Sequence, residues 1–162
     1  MVRSLASQQR HPDSRPPGGV SAAMRSRRYR RAMAGMTDLD EMLRTLTVTR
    51  RAKTYTFATL RSAPPLGDGV AAVIEEAQGL TVVATLARSR AEGWPVDFEA
   101  AWLTLNIHSA LKAVGLTAAF SAALAEAAIP CNVIAGFYHD HLLVPVERAD
   151  EATALLEQLR DS

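Results

Sequence analysis

Sulfur and aromatic side chains are scarce in this chain of 162 residues, with one cysteine and aromatics at 6%. The lone Cys131 excludes an intramolecular disulfide and a multi-cysteine metal site, and it fits a reducing, cytoplasmic setting. No apolar run reaches the roughly 20 residues that a membrane-spanning helix needs, so no membrane partner is expected. A phosphate-binding glycine loop is missing too: Gly67 and Gly69 lack the following lysine and the helix-linked pattern that such a loop requires. Trp94 and Trp102 read as core or interface aromatics, not as a stacking platform for bases.

Apolar residues, at 48%, suffice for a packed core, and the length suits one domain or two small modules sharing a core. Charge is unevenly spread. Residues 1–35 hold eight arginines (Arg3, Arg10, Arg15, Arg25, Arg27, Arg28, Arg30 and Arg31) and one acid, Asp13, a balance of +7; the remaining ten basic and sixteen acidic side chains give −6, for the formal +1. This leader also carries Pro12, Pro16, Pro17, Gly18 and Gly19 with few large aliphatics. It cannot bury enough surface to offset the entropy of ordering, so disorder is expected. Three readings of it stay open: a start upstream of the natural one at Met36-Thr37-Asp38, an arginine-rich targeting peptide, or a basic arm (Arg25–Arg31) for nucleic acid or anionic lipid. The targeting reading lacks a hydrophobic run for secretion, and aromatic interleaving stops at Tyr29. Charge asymmetry alone does not make this a nucleic-acid protein.

Beyond the leader, LDEMLRTL places Leu39, Met42, Leu43 and Leu46 on one side of a short helical segment. From Ala52 to Leu60 the chain alternates, with Lys53, Tyr55, Phe57 and Thr59 against Ala52, Thr54, Thr56 and Ala58, which predicts a strand. Ser62 to Gly69 is a turn cluster. Val70–Ile74 and Leu80–Leu86 flank Glu75-Glu76-Ala77-Gln78-Gly79 and read as a hairpin with an acidic tip and Gly79 at a positive φ. A short helix over Ala71–Ala77 is the alternative. Ala84 to Glu92 then reads as a helix closed by Gly93.

The second half is patterned more clearly. On a strand from Ala101 to His108, Leu103, Leu105 and Ile107 point one way while Trp102, Thr104, Asn106 and His108 point the other. After Gly115, Leu116, Phe120, Ala123, Leu124 and Ala127 recur at helical spacing, and the helix stops before Pro130. Cys131–Tyr138 and Leu142–Val144 form an expected hairpin around His139-Asp140-His141. A last helix, Glu147 to Arg160, offers Ala152, Leu155, Leu156 and Leu159 inward. The order β-α-β-β-α is the ferredoxin-like one.

Ala77-Gln78-Gly79-Leu80-Thr81 echoes Ala113-Val114-Gly115-Leu116-Thr117. The first continues into valines and the second into alanines, so the same letters are expected to enter different structures.

The residues HSALKAVGLTAAFSAALAEAAIPCNVIAGFYHDHLLVP resemble the ACT-domain proteins, and closely a subgroup of short stand-alone tandem-ACT proteins. EEAQGLTVV over Glu75–Val83 is similar to the acidic-glycine hairpin of the preceding module, although Gln78 stands where the subgroup carries a second acid. The resemblance spans Leu39 to Leu159. It implies an α+β fold of two ferredoxin-like, βαββαβ-related modules, antiparallel sheets with helices on one face, over residues 36–98 and 99–162. It further implies a non-catalytic regulatory sensor that binds an amino acid or related metabolite, forms a homodimer and needs no cofactor. In ACT modules the turn into this helix and the neighbouring strand form the effector corner, which here falls on Ser109, Val114, Gly115, Leu116, Asn132, Val133 and Ile134.

Physical reasoning supports the same corner. Unpaired N–H groups at a helix start attract a carboxylate, helped by the helix dipole. Gly115 permits close backbone approach, Ser109 or Thr117 adds a hydroxyl, and Asn132 is an acceptor for an ammonium. Equally, Gly115 serves as a turn, Thr117 as a cap and Asn132 as a partner for nearby backbone. Two rivals come from other classes. His108, His139, Asp140 and His141 are the candidate set of a metal-dependent enzyme. The Trp102 face and sheet edges alone suit a ligand-free dimerisation module. Ser109 beside His108 is no dyad, since neighbours on a strand face opposite ways, and Glu75 with Glu76 reads as a solvated hairpin tip.

Overall fold

The computed structural model describes residues 38–107 and 113–161. The arginine-rich leader, His108 and Ser109 lie outside the described residues. Helix α1 (Leu39–Arg44) starts where the Asp38 carboxylate accepts the Glu41 N–H at 2.9 Å, and it buries Met42 and Leu43. Strand β1 (Val48–Leu60) follows, then the hairpin β2 (Val70–Glu76) and β3 (Gly79–Thr85), with Gly79 at φ 151°. The hairpin is thus realised and the helical alternative for Ala71–Ala77 is not. Helix α2 (Leu86–Ala91) is capped by the Thr85 side chain, and β4 (Ala100–Leu105) comes next. Helix α3 (Leu116–Glu126), β5 (Asn132–Ala135), β6 (Asp140–Pro145) and α4 (Ala149–Gln158) complete the order. Among the described residues no helix is long and apolar enough to cross a membrane.

All strands join one six-stranded sheet in the order β2-β3-β1-β4-β6-β5, and each neighbouring pair is antiparallel. Two ferredoxin-like units overlap in it. One is β2-β3-β1-β4 and the other is β1-β4-β6-β5, so β1 and β4 belong to both. In the first unit a loop, residues 61–69, stands where a full βαββαβ order has its first helix, as the turn cluster over Ser62–Gly69 predicts. Cross-strand partners share a face, which sorts the core. Ala101, Leu103, Leu105, Leu142 and Val144 lie under α1, α3 and α4, against Met42, Leu46, Phe120, Leu124 and Leu156. Tyr55, Val83, Ala100, Trp102 and Leu143 occupy the opposite face.

Several boundaries differ from those the pattern predicts: β4 ends at Leu105, short of the expected His108, and the helix expected from Ala84 starts at Leu86, because Ala84 and Thr85 pair in β3. Strand β1 begins at Val48 instead of Ala52, because Arg50 and Arg51 are accommodated on the sheet. Arg50 reaches Asp150 of α4 at 2.9 Å and Arg51 lies over Trp102. Between Arg50↔Leu103 and Thr54↔Ala101 β1 bulges, taking more residues than β4 over the same span. The β5–β6 turn sits at residues 136–139, not at His139-Asp140-His141. There the Gly136 N–H donates to the His139 carbonyl at 3.0 Å, and Asp140 and His141 open β6. The last helix is also divided: 3-10 turns over Val146–Arg148 and Leu159–Asp161 flank α4. The pentapeptide echo enters β3 in one copy and α3 in the other, as its flanking residues imply.

Candidate functional site

The chain enters α3 through Gly115 at φ 104°, a conformation in which a side chain is strained. Among the described residues no side chain caps this helix start, and the first α-helical bond runs from the Ala119 N–H to the Gly115 carbonyl at 2.9 Å. The N–H groups preceding it have no intrahelical acceptor, which makes the corner electropositive. Leu39 of α1 closes one side, its Cδ2 lying 2.9 Å from where a Cβ on Gly115 would sit. Leu116 is buried in the core, leaving only its backbone available, while Val114 is 82% exposed and Thr117 is exposed.

Strand β5 forms the sheet edge nearest this corner in sequence, and its residues divide between faces. Val133 pairs with Leu142 and lies on the face covered by α3. Asn132 and Ile134 pair with Leu143 and His141 and lie on the other. The structure therefore gathers Val114, Gly115, Leu116 and Thr117 at the α3 start, with Val133 on the same side of the sheet. The Asn132 and Ile134 side chains stand apart, although their backbone runs along the open edge. Leu39 was missing from the corner as read from sequence; its inward position in the first amphipathic segment was the available signal.

Models of the ACT domain match residues 34–101 and 97–158. A crystal structure of a protein of unknown function from Vibrio cholerae, described as a possible transport protein, is 36% identical with a TM-score of 0.66, covering 75% of this chain and 95% of that one. The chain belongs to the ACT-domain family. Two further solved structures share the fold. One is a protein from Agrobacterium tumefaciens, at 20% identity and TM-score 0.57, covering 71% of this chain and 89% of that one. The other is the ligand-free regulatory subunit of aspartate kinase from Thermus thermophilus, at 10% identity and TM-score 0.52, covering 69% of this chain and 95% of that one. No curated protein matches the chain. ACT domains typically bind amino acids in a regulatory role, and this chain carries two of them in tandem.

His139 and His141 serve the backbone and the sheet. His139 donates from Nδ1 to the Ile107 carbonyl at 3.1 Å, tying the β5–β6 turn to the end of β4. His141 bonds Thr104 Oγ1 through Nδ1 at 3.0 Å, and its ring packs 5.1 Å from that of Trp102. Burial holds His141 below its ordinary pKa, with Arg51 and His139 adding to the effect. Asp140, by contrast, pairs with Leu105 and faces the helix layer, so Asp140 and His141 diverge. Burial raises the Asp140 carboxyl, partly offset by His139. Among the described residues no group of three or more His, Cys, Asp or Glu side chains is placed to hold a metal ion, and His108 lies outside them. Cys131 is half-buried, and burial pushes its thiol up to about 11, so little nucleophilic thiolate exists at neutral pH.

Proposed function

We propose that this tandem ACT protein is a non-catalytic regulatory sensor whose ligand is a small amino acid or related metabolite. The observation that carries the proposal is the uncapped α3 start at Gly115, where free N–H groups and the helix dipole favour a carboxylate. In this reading the backbone of Gly115, Leu116 and Thr117 receives the carboxylate, and Val114 and Val133 wall the corner; Ser109, expected from sequence to add a hydroxyl, lies outside the described residues. The ammonium is received by backbone carbonyls along the open edge of β5, over Asn132, Val133 and Ile134.

Binding acts by linkage. A ligand that orders the α1–α3 contact favours whichever packing, within one chain or between two, presents that contact. Along the chain the modules divide near residues 98 and 99, while β1 and β4 join them in one sheet, and two copies of the chain form a homodimer. The exposed Val133, with Phe137 at the β5–β6 turn, is apolar surface suited to a second copy. The protonated Cys131 thiol and the structural bonds of His139 and His141 support assigning no catalytic step.

Thermal melting of the full chain against the individual amino acids tests this. One of them is expected to raise Tm progressively with concentration, as mass action requires. A Tm unmoved by every amino acid would refute the sensor reading.

A further inference from the structure

On the sheet face away from α1, α3 and α4, a guanidinium and an indole N–H lie side by side, and the described residues supply the pair with one acceptor, the Tyr55 hydroxyl. Arg51 leaves β1 at its bulge, and its Cζ lies 3.9 Å from the Trp102 ring centroid and 5.8 Å from that of Tyr55. Stacking engages the flat face of a guanidinium and leaves its N–H edges free for an anion. One of these edges reaches the Tyr55 hydroxyl at 3.5 Å, the outer limit of a hydrogen bond. Among the described residues no carboxylate pairs with Arg51, whereas Arg50, Arg90 and Arg148 each have one and Arg88 has two. Beside it Trp102 is 2% exposed, and its Nε1–H has no partner among the described residues. Leaving a buried donor unmet is costly, so an acceptor at the indole N–H is favoured. His141 lies against the indole on the other side, its ring centroid 5.1 Å from that of Trp102 and its Nδ1 engaged by Thr104.

We propose that Arg51 and Trp102 form a binding site for a carboxylate. A small swing of the flexible Arg51 stem admits the anion. One carboxylate oxygen accepts the indole N–H and the other accepts a guanidinium N–H, matching the planar two-oxygen shape to the fork. The body of the ligand lies over Tyr55. Beyond it on the same face, a cleft of about 320 Å³ is lined by Phe57, Thr59, Thr81, Pro95, Asp97 and Phe98. A carboxylate with a small apolar or aromatic body fits these surfaces. The site is separate from the α3 corner and independent of the function proposed for it.

Indole N–H resonances of the full-length chain provide the test, with benzoate as probe and chloride holding ionic strength constant. The Trp102 signal, assigned by its persistence in Trp94→Phe, is expected to move downfield saturably. In Arg51→Met, which keeps the stem over the indole, the apparent affinity is expected to fall about tenfold or more, as for loss of a charge-assisted bond. No saturable shift up to tens of millimolar benzoate, a shift confined to Trp94, or an unchanged curve in Arg51→Met would overturn the site. Equal saturation by inorganic phosphate would overturn the planar-carboxylate assignment.

Discussion

Leu39 lies against the bare Cα of Gly115: a Cβ there would come within 2.9 Å of Leu39 Cδ2. This contact joins α1 to the start of α3 and sets the shape of the candidate ligand corner. Gly115→Ala is therefore penalised twice, by a φ of 104° that disfavours a side chain and by the clash. Backbone strain of this kind costs on the order of 1–2 kcal/mol, and the displaced leucine adds to it. Leu39→Ala removes the clash but not the strain. In a double-mutant cycle read by urea unfolding, Gly115→Ala is expected to cost less in the Leu39→Ala background than in the wild type, with the residual cost equal to the backbone share. Additive costs would mean that the two residues do not compete for space.

The pH dependence of stability has two opposed components. The folded pKa of His141 is held below its ordinary 6.5 by burial, then by Arg51 and His139. The unfolded chain thus binds that proton more readily. The stability tied to His141 is fully present above 6.5 and is lost as pH falls from there through the folded pKa. Asp140 works in the other direction, because burial raises its folded pKa above 3.8. Its contribution is present below 3.8 and is lost as pH rises through the folded pKa. His141→Gln should flatten the slope of stability on the acid side of 6.5, whatever it does to the absolute level. Asp140→Asn should raise Tm at neutral pH and lose that advantage below 3.8. Urea midpoints across the pH range check both, and parallel profiles for all three chains would contradict the assignment.

The turn between β5 and β6 depends on close packing at Gly136. A Cβ there would sit 2.6 Å from the His139 carbonyl, which accepts the Gly136 N–H in the same turn. Gly136→Ala must push that carbonyl away and loosen the bond. The expected loss is on the order of 1–3 kcal/mol, the usual range for overpacking. Amide exchange provides the site-specific measurement: protection in β5 should fall further than in β2 and β3. Uniform loss across the sheet would argue against a local turn effect.

Legibility from sequence followed how local the determining physics was. Leu103 and Leu105 alternate, Leu116, Phe120 and Leu124 recur at helical spacing, and Gly115 punctuates the two, so β4 and α3 were readable. The start of β1 was hidden because Arg50 and Arg51 look like surface residues until Asp150 and Trp102 are brought to meet them. Gly136, Phe137 and Tyr138 resemble strand residues, which moved the expected turn towards the histidines. At the candidate corner Gly115 and Thr117 were evident from the helix boundary. The face of Asn132 was not, because it follows from pairing with Leu143 across β5 and β6. The sharing of β1 and β4 by both modules is likewise a property of the sheet order alone.

Thr117 offers a way to separate helix stability from ligand binding. It is exposed, second in α3, and next to the uncapped N–H groups. An aspartate at this position supplies a negative charge to the positive end of the dipole, and such charges stabilise by about 0.3–1 kcal/mol. The same carboxylate repels an incoming one and competes for its N–H donors. Thr117→Asp is therefore expected to raise the ligand-free Tm while weakening the response to amino acids by about tenfold, a difference of about 1.4 kcal/mol. Thr117→Ala should show neither gain nor a loss of that size. Thermal melts of the three chains, with and without the responding amino acid, read both effects at once. If Thr117→Asp stabilises the chain yet leaves the ligand response intact, the amino acid binds away from the start of α3.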